Sequence, residues 1–582
     1  MQRHMNKQNF QIAIVGSGFA GSLLAMMARQ LGFSTVLVER GRHPRFAIGE
    51  SSTPLANLLL EEISVAYDLP SVRPLCKWGS WQTQLPHLGC GLKRGFTFYH
   101  HEFGKAFSTD AARENQLLVG ANPNEEIADT HWYRRDFDQY LMMQAQKLGV
   151  TYLDETLLET AREETNGIRL TGTQHGEPME ISAEFVIDAT GPRGFLHRAL
   201  GLPEKTLANL PATQGLFSHF ENVGALPESF SVPGQTPPYP PEQAAVHHVF
   251  PGGWIWVLKF NNGLTSAGVA ATDEVANELN FKEGEPAWQR LLQKLPSVAE
   301  IFRHARATIP FVHTPRLSFQ SGAVTGARWA LLPSAAGFVD PLLSTGFPLT
   351  LLGVQRMGEI LKTVASAILA DVERGFQPGG KNLADGSALA NCERHPTADG
   401  FSGRQDAALY GRQGCPPLPG NAAAWLDSKF QQQLRDYAAQ TTLELETAAR
   451  LVGALYTNMN RFEVFKELSL LYFTAASFSE TARRLGKPEL ADGFLLCRHP
   501  VFAKQFVTIC EAAGGTLSAD GLKIFSKNIR AAIEPLDVAG LTDDSRHPWY
   551  PALAADLLRN AGKVNATEDE IRAMLARCGF AR

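Results

Sequence analysis

The pattern of apolar and polar positions near the start of the chain predicts a strand, a tight turn, a helix and a second strand. Residues 12–15 form an uninterrupted apolar run, which is typical of a parallel strand covered on both faces. Glycines follow, and the apolar spacing over residues 22–31 favours a helix. Residues 35–38 are rich in β-branched side chains and predict a second strand. The chain therefore begins with a β–α–β unit.

Three glycines and one acid give this unit the features of a dinucleotide-binding site. Gly16 allows a sharp turn, Gly18 leaves room for a pyrophosphate beside the backbone amides, and Gly21 lets the helix pack closely on the strand. The positive end of the helix would face the phosphates. Glu39 follows the second strand and is placed to accept hydrogen bonds from a ribose hydroxyl. The alternative, a glycine-rich turn that binds nothing, does not account for the position of Glu39.

Two later segments return to the same predicted sheet, and the stretches between them predict another. Residues 184–193 and 329–333 each have the pattern of a buried strand that ends in a turn. Other runs are strand-like, with alternating polar and aromatic positions in the first of them, and predict strands of a second sheet. These runs are 78–110, 245–250, 254–260 and 264–271.

The chain has 582 residues, which is too long for one hydrophobic core, so several domains are expected. Residues 374–420 are rich in Gly, Pro, Asn and Asp and predict a flexible connector. Helical periodicity over 421–582 predicts an α-helical C-terminal domain. The expected fold class is α/β. Its two remaining domains are discontinuous: a Rossmann-like nucleotide-binding domain at 10–75, 112–205 and 321–373, and a substrate-side β-sheet domain at 76–111 and 206–320.

Composition and charge exclude several classes of function. The chain is 44% hydrophobic and 19% charged, which is ordinary for a globular protein in water. Its formal net charge of -5 gives no sign of a nucleic-acid-binding surface. No uninterrupted run of about 18 apolar residues predicts a membrane span, and the polar residues 1–10 lack the apolar core of a signal peptide. A cytoplasmic location is therefore expected.

Neither the cysteines nor the histidines predict a metal site. The seven cysteines are scattered and lack a Cys-x-x-Cys spacing, so we interpret them as free thiols in a reducing compartment. Two histidine pairs, His100 with His101 and His247 with His248, have no third ligand at a useful spacing. No metal is expected.

A set of short motifs is spread along the predicted nucleotide-binding domain. It comprises the GxGxxG turn with Glu39, the turns at 188–192 and 337–341, and the runs at 49–51 and 133–138. Together these motifs resemble the glutathione-reductase-type FAD domain shared by flavin monooxygenases. The resemblance implies FAD as the cofactor.

Two further runs make the resemblance more specific than a shared FAD domain. Residues 253–256 are similar to the GWxWxIP signature of flavin-dependent halogenases, and residues 338–346 are similar to their FxxPxxSxG signature. The chain length, the run at 49–54 and the helical C-terminal region resemble the branch that acts on pyrroles and phenols, which includes pyrrole and tetracycline halogenases. One departure stands out, because Leu258 and Lys259, which follow Val257, occupy the place of the signature's Ile-Pro. An FAD-dependent aromatic hydroxylase on the same scaffold is therefore the alternative.

The halogenase resemblance implies a reaction that needs FADH2, dioxygen and chloride or bromide. In halogenases of this type a flavin hydroperoxide oxidises the halide to hypohalous acid, and an active-site lysine directs the halogen to an electron-rich aromatic ring. The expected substrate is a phenol or pyrrole, free or tethered to a carrier protein. A separate flavin reductase is the expected partner, because the chain has no second GxGxxG for NAD(P)H. A flavoprotein that has lost catalysis and serves in binding or assembly is a further alternative.

The resemblance also implies roles for individual residues. Lys93 matches the catalytic lysine, and its alternative is a solvated lysine on a strand. Arg134 matches the flavin-side arginine, with the neighbouring Arg135 as its competitor. Asp340 matches a residue beside the flavin ribityl chain and pyrophosphate, and its alternative is a turn aspartate before proline.

Two more groups of residues follow from the halogenase signatures. Ser344, Thr345 and Gly346 match the loop whose amides hold halide near the flavin, although either hydroxyl could simply cap the following helix. Trp254 and Trp256 are two positions apart on a predicted strand, so both side chains point to one face. The resemblance implies that they separate flavin from substrate, and core packing is the alternative.

Overall fold

The computed structural model describes residues 6–375, 417–515 and 518–580. Within these ranges the chain forms sixteen α-helices and twenty-one β-strands. Most of the connector predicted at 374–420 lies outside the described residues. The strands are β1 (Asn6–Val15), β2 (Thr35–Val38), β3 (Cys90–Lys93), β4 (Gly95–His100), β5 (Gln116–Gly120), β6 (Asp129–Trp132), β7 (Thr151–Leu153), β8 (Thr156–Glu164), β9 (Gly167–Gln174), β10 (Glu177–Asp188), β11 (Glu204–Lys205), β12 (Thr213–Glu221), β13 (Ala245–Phe250), β14 (Gly253–Lys259), β15 (Thr265–Thr272), β16 (Arg306–Ala307), β17 (Val312–Thr314), β18 (Phe319–Ser321), β19 (Trp329–Leu331), β20 (Gly337–Phe338) and β21 (Trp549–Tyr550). The helices are α1 (Phe19–Gln30), α2 (Pro54–Ala66), α3 (Trp78–Gln84), α4 (Arg134–Lys147), α5 (Phe195–Ala199), α6 (Asp273–Glu278), α7 (Glu285–Lys294), α8 (Pro296–Ile301), α9 (Pro333–Ala336), α10 (Gly346–Gly375), α11 (Ser428–Thr457), α12 (Phe462–Arg484), α13 (Phe502–Ala512), α14 (Ala519–Ile533), α15 (Ala554–Arg559) and α16 (Glu568–Cys578).

The first sheet is built around the β–α–β unit at the start of the chain. Its strand order is β7-β2-β1-β10-β9-β8, and β19 pairs with β10. Strand β1 is parallel to both β2 and β10, and β10 is parallel to β19. Residues 11–15 of β1 are buried, as expected for a parallel strand covered on both faces. The carboxyl ends of these strands meet at one edge, which is where open α/β sheets bind ligands.

The second sheet contains the strands that the sequence predicts on the substrate side. Its order is β16-β12-β15-β14-β13-β4-β5-β21, with β17 beside β12. The segment Gln116–Gly120 falls in the range assigned by sequence to the nucleotide-binding domain, but it pairs with β4 in this second sheet. Pairing between strands is set by long-range packing rather than by the local pattern, which explains the difference.

The strand pattern predicted at 78–110 is wrong at its beginning. Trp78–Gln84 forms helix α3, and strands follow only at β3 and β4. Trp78 and Trp81 are three positions apart, a spacing that places both on one face of a helix. The buried Trp81 ring stacks on Phe137 of α4 with 5.6 Å between ring centroids, and this contact favours the helix.

A short ladder between the two sheets brings distant segments together. Strand β3 pairs antiparallel with β6, so that Lys93 lies directly opposite Asp129. The segment that precedes α2 joins this ladder through a bridge between Ser51 and His131. Lys93 is therefore fixed by residues that are far apart in the sequence.

The C-terminal part of the described chain is helical, as predicted, apart from β21 at the edge of the second sheet. Helix α11 packs on α10, and α12 packs on α2. Aromatic side chains of α12 also reach the second sheet, where Phe473 meets Phe96 with 5.2 Å between ring centroids. Among the residues that the structure describes, none of the helices combines the length and apolar composition that a bilayer crossing requires. The same residues contain no cluster of three or more acidic, His or Cys side chains suited to a metal ion.

Candidate active site

The turn between β1 and α1 depends on close packing at its glycines. A Cβ atom on Gly21 would lie 1.9 Å from the Gly16 carbonyl oxygen, so α1 can approach this closely only with glycine there. Gly16 itself has a φ of 102°, in the region that glycine favours. A Cβ atom on Gly18 would instead meet side-chain atoms first, the nearest being Nη2 of Arg134 at 3.4 Å. Gly18 therefore lies at an opening beside the start of α1.

Glu39 directly follows β2 and faces this turn. Its carboxylate accepts hydrogen bonds from the Ser17 amide at 3.1 Å and the Gly41 amide at 3.0 Å, and it pairs with Arg45 at 3.2 Å. Burial raises the pKa of Glu39, but Arg45 and the Gly41 and Ser17 amides outweigh it and hold the pKa below its usual range. The side chain is thus an ionised acceptor at neutral pH.

A cavity of about 540 Å³, which we call the large cavity, extends from this turn to the second sheet. The predicted site residues that line it are Gly18, Arg134, Trp254, Trp256, Asp340, Ser344, Thr345 and Gly346. Gly16 and Gly21 support the turn at its edge. Glu39 and Lys93 each hydrogen-bond to a residue of the lining, Arg45 and Ser51 respectively. The structure therefore gathers the predicted residues around one space.

The choice between two neighbouring arginines follows from their burial. Arg134 is buried at the start of α4 and forms two hydrogen bonds of 2.7 Å to the Asp138 carboxylate. Its remaining nitrogen donates to the Gly49 carbonyl at 3.1 Å, which fixes the segment before α2. Arg135 is exposed. Arg134 is consequently the one that faces the large cavity.

The two tryptophans of β14 lie side by side in the wall of the large cavity. Their ring centroids are 5.7 Å apart, and the Trp256 indole donates a hydrogen bond to Ser266 at 3.2 Å. Opposite Trp256 in the sheet is Gly268, where a Cβ atom would come within 2.4 Å of the indole. Where the halogenase signature has Ile-Pro, β14 continues as a regular strand to Lys259. The departure therefore leaves both rings in the cavity wall.

Asp340 is the centre of a buried hydrogen-bond network. Its carboxylate accepts from the Leu342 amide at 3.0 Å, the Trp254 indole at 3.3 Å and the Tyr456 hydroxyl at 2.9 Å. Burial raises the pKa of Asp340 to about 7, and these three donors oppose the shift. A carboxylate has about four acceptor positions, so at least one remains. Tyr456 belongs to α11, and the network therefore ties the C-terminal helices to the cavity.

The segment before α10 has an unusual backbone. Leu343 and Ser344 have φ values of 62° and 55°, both in the left-handed region that side chains disfavour. A Cβ atom on Gly346 would meet nothing within 4 Å, so the start of α10 faces open space. The first N–H groups of a helix have no acceptor within it. The start of α10 therefore presents backbone N–H groups toward the large cavity.

Lys93 is fully buried, which rules out the alternative of a solvated strand lysine. Its ammonium nitrogen donates to the Ser51 hydroxyl at 2.8 Å and to the Ser52 carbonyl at 2.5 Å. It also lies 3.8 Å from the centroid of the Phe96 ring, at a distance typical of a cation–π contact. The side chain is therefore held in one position.

Asp129 is the carboxylate nearest to Lys93 along the β3–β6 ladder. It is buried and accepts hydrogen bonds from the side-chain amides of Asn57 at 2.9 Å and Asn122 at 3.2 Å. Burial lowers the pKa of Lys93, and the Asp129 charge opposes that shift. Burial and Glu480 raise the pKa of Asp129, while Lys93 and the two amides oppose the rise. The charge on each member of the pair therefore shifts the pKa of the other.

A second cavity, of about 130 Å³, has in its wall a residue that Lys93 contacts and is called the small cavity here. It lies between β4 and β5 of the second sheet and helices α12 and α16, with Phe96, Tyr472 and Phe473 in its wall. Phe96 is also the ring that the Lys93 ammonium contacts. Ser51, the other contact of Lys93, lines the large cavity. Lys93 therefore contacts one wall residue of each cavity.

Apart from Glu50, which belongs to the run at 49–51, several residues of this region have no signal in the sequence. Glu50 and His219 form a buried pair at the large cavity, with 3.0 Å between a carboxylate oxygen and Nε2. Asp129, Tyr456 and Tyr472 likewise approach the site from separate segments. Only the strand pairing and helix packing of the folded chain bring such residues together, so no local spacing could identify them.

Comparisons with known proteins agree with this geometry. The family model described as tryptophan halogenase matches residues 109–373. The chain is 30% identical over 347 residues to the monodechloroaminopyrrolnitrin halogenase PrnC of Pseudomonas fluorescens, and 28% identical over 347 residues to the tetracycline 7-halogenase of Kitasatospora aureofaciens. These matches cover 59% and 58% of this chain and span 59% and 60% of the two relatives. A further relative, the 1H-pyrrole-2-carbonyl-[peptidyl-carrier protein] chlorinase of Pseudomonas fluorescens Pf-5, is 24% identical over 367 residues, with 62% of this chain and 77% of the relative covered.

The structural comparison extends over nearly the whole chain. A crystal structure of a point mutant of the halogenase PltM in complex with FAD matches with a TM-score of 0.73 at 21% identity, covering 94% of this chain and 100% of that chain. The fold is therefore that of an FAD-binding halogenase, which confirms the predicted α/β class with a helical C-terminal region. By sequence, the chain is similar to flavin-dependent halogenases over somewhat less than two thirds of its length, and it spans about three fifths of the length of these two relatives.

Proposed function

We propose that this protein is a flavin-dependent halogenase that installs chlorine or bromine on an electron-rich phenol- or pyrrole-type ring in the cytoplasm. The observation that carries the proposal is the position of Lys93, whose buried ammonium group contacts Ser51 on the side of the large cavity and Phe96 on the side of the small one. A lysine held between two cavities suits the passage of a reactive group from one to the other. Homology to characterised halogenases supports the same reaction.

The residues around the large cavity fit FAD. The start of α1 offers N–H groups without intrahelical acceptors, and Gly18 leaves the approach to them open. Arg45 and Arg134 bring positive charge beside this helix end, and Glu39 offers an ionised acceptor for ribose hydroxyls. When bound, reduced FAD with dioxygen would supply the two-electron oxidation of halide to hypohalous acid.

The start of α10 is the proposed halide position. The backbone at Ser344 and Thr345 leads directly into the first turn of the helix, and Gly346 faces open space in the large cavity. Free amides at a helix N-terminus favour an anion. A chloride or bromide there would lie in the same cavity as the flavin.

Trp254 and Trp256 favour halogenation over direct hydroxylation. Their neighbouring rings occupy the wall of the large cavity, and the Asp340 carboxylate holds the Trp254 indole in place. An aromatic substrate bound in the small cavity would be kept from contact with the flavin. Only a small species such as hypohalous acid could then reach it.

Lys93 would act on that species by hydrogen bonding. An ammonium group can donate to the oxygen of hypohalous acid and so make the halogen more electrophilic. Loss of the oxygen as water, with transfer of the halogen to the ring and release of the ring proton, would complete the substitution. Ser51 and Ser52 leave the ammonium one further donor position, because an ammonium carries three hydrogens.

Two partners belong to the proposal. A separate flavin reductase would supply reduced FAD, because the chain contains a single GxGxxG run. The substrate could reach the site free or on a carrier protein. The second form is the one that the name of one relative, the 1H-pyrrole-2-carbonyl-[peptidyl-carrier protein] chlorinase, states for that relative. The assay below therefore includes both forms of substrate.

The proposed function is tested by supplying reduced FAD, dioxygen and bromide to the purified protein with a panel of phenols and pyrroles, free and as carrier-protein thioesters. Products are identified by mass spectrometry from the bromine isotope pattern, and a reaction without halide serves as the control. We expect a brominated product that depends on bromide and reduced FAD. Hydroxylated product alone would favour the aromatic hydroxylase.

The glycine turn offers a matched pair of substitutions. We expect Gly21→Ala to destabilise the fold by about 1–3 kcal/mol or more, because the new methyl group would overlap the Gly16 carbonyl. Gly18→Ala should fold normally but weaken FAD binding about tenfold or more, because its methyl group would enter the pyrophosphate approach. Thermal unfolding and flavin fluorescence titration measure the two effects. Gly562→Ala, where a Cβ atom would meet nothing within 4 Å, is the control, and equal behaviour of Gly18→Ala and this control would contradict the assignment.

A further inference from the structure

His247 lies in the wall of the large cavity and is fixed there by its neighbours. It is 2% exposed and belongs to β13, opposite Trp256 of β14 in the sheet. Its imidazole stacks on Phe98 with 4.3 Å between ring centroids and lies 5.2 Å from the Trp254 ring centroid. Nδ1 donates a hydrogen bond to the Thr97 carbonyl at 3.2 Å. The ring is therefore held in one orientation.

This hydrogen bond leaves the other ring nitrogen of His247 as an acceptor. A carbonyl oxygen cannot donate, so Nδ1 carries the hydrogen and Nε2 carries the lone pair of the neutral imidazole. Within the described ranges of the chain, Nε2 makes no hydrogen bond. Burial, together with the charge of Lys93, lowers the pKa of His247 to about 3, and the Thr97 and Ala245 carbonyls oppose the shift. The imidazole is therefore neutral at neutral pH.

His247 and Lys93 are neighbours beside the large cavity. Both pack against Phe96, with the Lys93 ammonium 3.8 Å and the His247 ring centroid 6.0 Å from the centre of that ring. Ser51, which accepts a hydrogen bond from Lys93, lines the large cavity together with His247. A hydrogen-bond donor and a hydrogen-bond acceptor thus lie near each other at this part of the wall.

Hypohalous acid needs both kinds of group. Its oxygen accepts hydrogen bonds and its single O–H group donates one, whereas an ammonium group offers donors alone. An O–H group that leaves water without finding an acceptor is unfavourable. Glu50, a carboxylate in the same wall, is already paired with His219 at 3.0 Å. Nε2 of His247 is the acceptor that suits the O–H group.

We propose that His247 retains hypohalous acid beside Lys93, with Nε2 accepting the hydrogen bond of its O–H group. The inference rests on the proposed halogenase function and adds a second residue to the handling of the halogen. The acid held in this way keeps its oxygen free to accept from Lys93. His247 neither gains nor loses a proton: the oxygen still leaves as water, the halogen joins the ring and the ring proton is released. Without His247 the acid escapes more often before it reacts.

His247→Phe tests the inference in the FAD-loaded protein with reduced FAD, dioxygen and bromide. Phenylalanine keeps a flat ring against Phe98 but has no acceptor. The phenol or pyrrole that the wild-type protein brominates is supplied together with an excess of monochlorodimedone, which captures hypobromous acid that escapes. We expect the ratio of brominated substrate to brominated monochlorodimedone to fall about tenfold, while the sum of the two products and the affinity for FAD stay at the wild-type values.

Two further variants separate this role from a structural one. His248→Phe is the matched control, because His248 is the next residue on β13, points to the opposite face and lies 3.0 Å from His101 through Nδ1. His247→Gln retains an acceptor and should restore part of the ratio. Thermal unfolding shows that each variant is folded. An unchanged ratio in folded His247→Phe would overturn the inference, and so would a loss of product explained by weaker FAD binding.

A crystal structure distinguishes failure of the inference from failure of the proposed function. Hydrogen peroxide resembles hypohalous acid in having an O–H donor and an oxygen acceptor, and it is soaked into crystals of the protein with oxidised FAD. We expect peroxide within hydrogen-bond distance of Nε2 in the wild-type protein and not in His247→Phe. Peroxide at Nε2 in a protein that does not halogenate would reject the proposed function and retain the acceptor site. Its absence from Nε2 in a wild-type protein that halogenates would overturn the inference.

Discussion

Replacing Lys93 by methionine is expected to lower halogenated product about 10²- to 10⁴-fold while reduced FAD is still consumed. Methionine fills a similar volume in this fully buried position but has no proton to donate to hypohalous acid. Product is measured by mass spectrometry, and free hypohalous acid is measured with monochlorodimedone. We expect the monochlorodimedone signal to persist when the halogenated product is lost.

Two further variants make this result interpretable. Lys93→Met leaves Asp129 without its counter-charge, and a buried unpaired charge is strongly destabilising. The double variant Lys93→Met/Asp129→Asn removes both charges and should fold more stably than the single one. Lys259→Met is the matched control, because Lys259 is partly exposed and paired with Glu242 at 2.9 Å. Wild-type product from folded Lys93→Met would contradict a catalytic role for this lysine.

Replacing Asp129 by asparagine is expected to move the pH dependence of halogenation to lower pH. Burial lowers the pKa of Lys93, and the negative charge of Asp129 is the influence that opposes this. Without that charge the pKa of Lys93 falls further, so the ammonium form is lost at a lower pH. Removing one buried charge from a coupled pair should move the pH at which kcat begins to fall down by at least about one pH unit. At any pH above that point, kcat of the variant should then be about tenfold lower than that of the wild type.

The pH profile distinguishes this electrostatic role from a structural one. Asp129→Asn keeps the shape of the side chain, and its measurement is kcat from pH 5.5 to 9 with FAD binding checked at each end. Asp136→Asn is the control, because Asp136 is partly exposed on α4 and accepts from the Gly89 amide at 3.1 Å. A uniform loss of rate with an unchanged profile would mean that Asp129 only supports the ladder.

Much of the fold could be predicted because many elements carry their own local pattern. The predicted strands at 35–38 and 245–250 coincide with β2 and β13, and α11 lies within the range 421–582 that is predicted to be helical. Apolar runs and helical spacing are properties of the segment itself. The prediction failed where pairing decides the structure, as in β5, which joins the second sheet through contacts with β4.

The candidate site likewise has one part that could be predicted from the sequence and one part that could not. The glycine turn, the tryptophans of β14 and the start of α10 are each encoded in one short run, and the structure brings them to the large cavity. The surroundings of Lys93 are different. Asp129 reaches it through the β3–β6 ladder, and Tyr472 comes from helix α12 in the C-terminal region. Neither residue has a spacing in the sequence that connects it to Lys93.

The most direct test of the two-cavity arrangement is a crystal structure of the FAD-bound protein with 4-bromophenol, in which anomalous scattering locates the bromine. We expect the bromine in the small cavity, with the ring against Phe96 and Phe473 and with Lys93 between it and the isoalloxazine. Bromophenol stacked on the isoalloxazine in the large cavity, on the flavin side of Trp254 and Trp256, would contradict a lysine that passes the halogen between separate compartments.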